Sequence, residues 1–175
     1  GFEGSGRVNT MIDGVRQNFR FTSHEAAGFT YVDPNLLSQI DIARGAVSTA
    51  GGGALAGSVN FRTIGVDDVV RDGRTWGVLG RTSAATNGTG FSGMIAGGVR
   101  QDAMGFVGAI SGRRSTDYKN GDGVVVPNTG QELMSGLFKA EFGFGEDHML
   151  SIGGILYHND FAANSYYQNV DNRTL

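Results

Sequence analysis

The 175-residue sequence contains no cysteine, which excludes disulfide scaffolds, thiolate metal sites and cysteine nucleophiles and leaves stability to packing and backbone pairing. It has only two prolines and no glycine repeat of period three, so a collagen-like fibre is excluded. No stretch approaches the ~20 consecutive apolar residues that a membrane-spanning helix needs. Fourteen basic and 17 acidic residues nearly cancel, at a net charge of −3, and no charge field points to nucleic acid. The first residues, Gly1-Phe2-Glu3-Gly4, contain neither an initiator methionine nor a signal peptide, so the chain reads as an internal piece of something longer. What is abundant is glycine: 30 residues, more than twice the usual share of about 7%.

Two textures meet near residues 65–73, where Gly65-Val66-Asp67-Asp68-Val69-Val70-Arg71-Asp72-Gly73 concentrates charge. This predicts a compact mixed domain over 1–64, a linker over 65–73 and a regular β region over 74–175. In the front part, short apolar runs at Val8–Asp13, Ile40–Ala43 and Val59–Thr63 lie among glycines. Asp33-Pro34-Asn35-Leu36 suits a helical turn capped by Asp33, with proline at its first position.

In the rear part, five segments alternate with period two, the mark of strands with unlike faces: Arg74–Ala84, Thr89–Arg100, Met104–Ser115, Glu132–Phe144 and His148–Asp160. Glu132–Phe144 is the clearest. Met134, Phe138, Ala140, Phe142 and Phe144 share one face, and Ser135, Lys139 and Glu141 share the other with Leu133 and Leu137. Five strands in series predict an antiparallel meander. Strands of about ten residues joined by tight turns at one end and by the long loop 116–130 at the other suit a transmembrane β-barrel wall. Alternation by itself suits a soluble sandwich or lipocalin-like barrel equally. Arithmetic favours the membrane: five strands with one oily face cannot close a barrel, so most of the wall belongs outside this piece.

Few constellations suggest chemistry. Gly51–Gly57 has the glycines of a phosphate loop but no Gly-Lys-Ser/Thr, and a strand-like run follows it where a helix is needed. Asp117, Asn120 and Asp122 imitate a calcium loop, but Lys119 occupies a ligand position. The sequons at Asn87 and Asn172 are too short to carry weight. His148 sits at a polar turn, and the parity of His158 puts it on the oily side or just above the membrane edge. His24 stands between aromatic residues, in Phe19-Arg20-Phe21-Thr22-Ser23-His24-Glu25-Ala26-Ala27-Gly28-Phe29. Such a histidine is a structural residue or, alternatively, an axial ligand to haem iron among flat apolar contacts. No Ser/His/Asp set or paired carboxylates stand out, so no enzyme is expected.

Several ordered motifs together resemble a family: Gly1-Phe2-Glu3, Ile12-Asp13-Gly14-Val15-Arg16-Gln17, Val32-Asp33-Pro34-Asn35-Leu36-Leu37, Ile40-Asp41-Ile42-Ala43-Arg44-Gly45 and Ala54-Leu55-Ala56-Gly57-Ser58-Val59-Asn60. They are similar to the plug domain of TonB-dependent outer-membrane receptors, although Ala56 and Ala46 stand where glycine and proline are common. The resemblance implies an N-terminal α+β plug, of which this piece holds the C-terminal part, and the first five or so strands of a 22-stranded membrane β-barrel. It also implies residence in the outer membrane of a Gram-negative bacterium, among its lipids, and energy coupling to the TonB-ExbB-ExbD complex through a segment outside these residues.

Asp-Gly-Val-Arg-Gln followed by an aromatic, histidine-bearing loop is similar to the haem and haemophore receptors of that family. Haem is then the cargo, delivered free or by a haemophore or haemoglobin, and His24 is one axial ligand at the plug apex. Arg44, Arg62, Arg81, Arg100, Lys139 and Glu141 are expected as polar contacts between plug and wall, because a plug in a wide lumen needs hydrogen-bonded and charged contacts. The alternatives are a siderophore receptor of the same family, in which His24 is incidental, and a passive porin or adhesin barrel.

Overall fold

A computed structural model of the chain describes residues 8–17, 32–46, 56–88, 90–145, 148–163 and 173–174. The chain divides into two compact units, Gly1–Ile64 and Gly65–Leu175.

The first unit is a four-stranded sheet in the order β2-β1-β4-β3, built from β1 (Val8–Ile12), β2 (Val15–Arg16), β3 (Leu37–Arg44) and β4 (Gly57–Thr63). The three apolar runs of the front part become β1, β3 and β4. Asp13 and Gly14 both take positive φ, 48° and 80°. That is the requirement of a two-residue hairpin turn, which Asp-Gly meets at little cost. β4 lies parallel to β1 and antiparallel to β3, so the central pair of strands comes from opposite ends of the segment. Between them, Pro34–Leu36 forms a 3-10 turn whose cap, Asp33, accepts a hydrogen bond from the Asn35 N–H at 2.9 Å. Leu36 and Ile64 are fully buried and are joined by a backbone bond, Ile64 N–H to Leu36 C=O, at 2.9 Å.

The second unit opens with a short helix, α1 (Val66–Val69), and continues as β5 (Trp76–Ala85), β6 (Gly90–Gln101), β7 (Met104–Ser115), β8 (Gln131–Phe144), β9 (His148–Ala163) and β10 (Arg173–Thr174). Spatial order follows chain order, from β5 to β10, and every pairing is antiparallel. The five expected segments are β5 to β9, with ends displaced by at most three residues. The segment expected as a linker, residues 65–73, is more than a tether, because it contains α1 and buries Val66, Val69 and Val70.

Register turns the alternation of each strand into rows across the sheet. One face aligns Trp76, Val99, Phe106, Ala140 and Ile152, and two positions along it aligns Val78, Gly97, Gly108, Phe138 and Gly154. The opposite face aligns Leu79, Ala96, Ala109, Leu137 and Ile155. Exposure separates the faces: Phe138 is 55% exposed, and its neighbour Lys139 only 8%. The exposed face stays apolar on β8 from Phe144 to Met134 and turns charged at Glu132, with Arg114 and Asp160 in the same row. At ~3.3 Å per residue that run is about 33 Å of strand, which at a tilt of ~40° spans about 25 Å, the height of a lipid-facing band. Among the described residues no helix is long and apolar enough to cross a membrane.

Candidate functional site

On the covered face of the second unit, the end with short turns gathers three of the six polar contact candidates singled out by sequence. Arg100 and Glu141 share a row through Gly105, and Lys139 stands in the next row, between Val107 and Gly153. Arg100 forms an ion pair with Asp67 of α1. The Glu141 carboxylate lies 3.5 Å from the N–H of Val66, a long contact at the start of the same helix. Arg81 belongs to the same face at the other end, in a row with Met94, Ser111, Ser135 and Tyr157. The Ser111 and Ser135 hydroxyls of that row are buried without a hydrogen-bond partner among the described residues. A wall that buries hydroxyls and cations suits contact with another polar surface better than contact with hydrocarbon.

The remaining candidates lie elsewhere. Arg62 is on β4 of the first unit, where its Nε donates to Asp41 Oδ2 on β3 at 2.5 Å. That guanidinium, with side-chain bonds from Gln39 and Asn60, holds the Asp41 carboxyl below the usual carboxylate range. Arg44 is exposed at the end of β3. His24 lies outside the described residues. His158 pairs in register with Met134, and its exposed ring sits 3.1 Å from Asp160 at the edge of the apolar band.

At the opposite end of the sheet, the long loop 116–130 is hydrogen-bonded throughout. Asp117 Oδ1 accepts from the N–H groups of Thr129 (2.8 Å) and Gly130 (2.9 Å), which hold its carboxyl below the usual range. Asn120 Oδ1 accepts from the N–H groups of Asp122 and Val124. These side chains close turns, as Asn and Asp do in Asx motifs, and no metal-holding group of three or more ligands occurs among the described residues. Asn87, at φ 58° in the short β5–β6 turn, clamps the loop from outside. Its Oδ1 accepts from Lys119 N–H at 2.7 Å and its Nδ2 donates to Lys119 C=O at 3.0 Å. Sequence reasoning missed this clamp and the seat of α1. The available signal for the seat was Val-rich 66–70 together with Gly77, Gly98 and Gly105, which share one face near the tight turns.

Residues 1–59 match the TonB-dependent Receptor Plug Domain family. A probable TonB-dependent receptor of Haemophilus influenzae is 38% identical over 149 residues, covering 77% of this chain and 16% of that protein. The heme transporter BhuA of Brucella ovis is 32% identical over 143 residues, 81% of this chain and 21% of its own length. Among solved structures, the Serratia marcescens hemophore receptor HasR, in complex with its hemophore HasA and heme, superposes with a TM-score of 0.79 at 29% identity, over 90% of this chain and 24% of that one. The FrpB iron transporter of Neisseria meningitidis shares the fold, with a TM-score of 0.70 at 24% identity. The chain belongs to the TonB-dependent receptor family and holds plug residues followed by antiparallel strands of the membrane barrel. It spans less than a quarter of the length of these relatives.

Proposed function

We propose that the protein is a haem receptor of the bacterial outer membrane, which captures haem above its plug and passes it into the periplasm when TonB, driven by ExbB and ExbD, pulls on the plug. The likeness to HasR carries this reading, because it extends over 90% of the chain and that receptor was solved with haem and a haemophore. The kinship with a heme transporter supports the same cargo. His24 is the proposed axial ligand, a neutral imidazole set among aromatic residues that suit the porphyrin faces. Residues 1–64 are the proposed C-terminal part of the plug, 65–73 the connection and 74–175 the start of a 22-stranded wall. Arg44, Arg62, Arg81, Arg100, Lys139 and Glu141 are the proposed polar contacts, with Arg62 and Arg100 also engaged inside their own units. A haemophore or haemoglobin is the proposed source of haem. The protein does no chemistry on its cargo.

The test is haem titration of the full-length receptor in detergent, followed at the Soret band, with His24→Ala beside the wild type. Binding by the wild type with loss of histidine ligation in the variant is expected. Absence of haem binding, alone or with a haemophore, overturns the cargo and leaves a siderophore receptor. That second reading draws on relatives not named for haem, among them transferrin-binding protein A of Neisseria meningitidis, 34% identical over 101 residues.

A further inference from the structure

The connection between the two units is locked on both sides of a single peptide. On the N-terminal side, Ile64 is fully buried and bonded to Leu36. The preceding residue, Thr63, gives its N–H and its hydroxyl to the two carboxylate oxygens of Asp13, at 2.9 and 2.6 Å. On the C-terminal side, the Gly65 N–H donates to Asp68 Oδ2 at 2.7 Å and the Val70 N–H to Val66 C=O at 2.8 Å. A helix of four residues has no stability of its own, so what keeps α1 formed is its seat.

That seat is made of glycines. Gly77, Gly98 and Gly105 come from β5, β6 and β7 and lie on the covered face, within one row of each other near the tight turns. A Cβ on Gly98 would stand 3.1 Å from Val70 Cγ2 and 3.3 Å from Val69 Cγ1, and one on Gly105 would stand 2.8 Å from Val66 Cγ2. A Cβ on Gly77 would run into the Val69 carbonyl. Glycine inside a strand weakens it and is kept where something approaches closely. Here three adjacent strands each yield a side chain to the same four-residue helix. The Asp67–Arg100 ion pair fixes its rotation.

We infer that α1 is a fixed post of the barrel wall and that the hinge on which residues 1–64 are displaced is the backbone between Ile64 and Gly65. The inference rests on the proposed TonB-driven uptake and adds to it the point at which displacement stops. Gly65 is suited to the hinge because it lacks a Cβ and rotates freely about φ and ψ. A pull that dislodges the first unit ends at Gly65, the socket stays filled, and the displaced domain remains tethered to the wall and able to return.

The experiment uses the full-length receptor with any cysteines outside this chain replaced. Val70→Cys with Gly98→Cys puts a thiol on each side of the contact in which a Cβ at Gly98 would stand 3.1 Å from Val70 Cγ2, a proximity suited to a disulfide. Mass analysis and thiol labelling of the receptor are expected to show that the pair oxidises, with TonB-dependent haem uptake by cells unchanged. Uptake that is lost on oxidation and restored by reductant overturns the fixed post, and failure of the thiols to pair in the folded receptor overturns the seat. Gly65→Val is expected to lower uptake while haem binding is retained, and uptake at the wild-type rate overturns the hinge. If the wild type itself shows no TonB-dependent uptake, the proposed function fails instead. Thiol pairing still reports the seat in that case.

Discussion

Ile42 on β3 and Phe138 on β8 are large apolar side chains of comparable exposure, 68% and 55%, in two sheets built on different principles. The sheet containing Ile42 is held by specific side-chain bonds: the Asp13 carboxylate on Thr63, Asn60 Oδ1 on the Gly14 N–H, and Arg62 on Asp41. Its two exposed isoleucines, Ile40 and Ile42, pair with Phe61 and Val59 in one small patch, and a limited apolar patch is ordinary for a protein in water. The sheet containing Phe138 is held by long ladders of backbone bonds, and its exposed face is apolar row after row. Equal exposure thus has opposite meanings, and the solvent of each region is legible from what surrounds the exposed residue.

The sharpest way to break the comparison is to place a charge on each side. Phe138→Arg, near the middle of the apolar band, is expected to cost about 2–4 kcal/mol in lipid, whereas Ile42→Arg should change stability by no more than ~0.5 kcal/mol. Urea unfolding of the full receptor in vesicles measures both, and equal effects would mean that the band does not face hydrocarbon. Within the second unit, Gly105→Val crowds α1 and should cost about 1–3 kcal/mol as overpacking. Gly112→Val, on the outer face with only a carbonyl oxygen 4.0 Å away, should be neutral or mildly stabilising by the same assay. In the first unit, Asp13→Ala removes two bonds to Thr63 and should cost about 1–2 kcal/mol, read as faster hydrogen exchange at Thr63 with the second unit's ladders unaffected.

The smallest effect is expected from pH. The bonds from Thr129 and Gly130 depress the Asp117 pKa in the folded loop. Their stabilisation is therefore complete above the unfolded value of ~3.9 and is lost as pH falls through the folded one. Exchange at the Thr129 and Gly130 amides should stay slow at pH 5 and accelerate only in stronger acid. Acceleration already near pH 6 would contradict the assignment.

How much could be read in advance follows the same division. The meander was legible because a strand with two unlike faces writes its period into local sequence, so that Phe138 and Lys139 already stood on opposite sides before any coordinate was known. The cap at Asp33 was equally local. The parallel pairing of β1 with β4 was not, since it joins Val8 to Gly57 across a stretch that carries no mark of its partner. The seat of α1 stayed hidden because its evidence is three missing side chains in a chain with 30 glycines. Of the polar candidates, parity placed Lys139 and Glu141 on one face, but only coordinates could pair Arg62 with Asp41 or Arg100 with Asp67. The His24 assignment came from resemblance and falls outside the described residues.

The clamp that Asn87 places on Lys119 bears on surface display. A reporter peptide inserted at residues 86–88 would tear out the Asn87 side chain and disturb a loop thirty residues away in sequence. Gly121, with nothing within 4 Å of where its Cβ would stand, is the better point of insertion. An antibody raised against a linear 116–130 peptide would meet a shape that exists only when the neighbouring turn is in place.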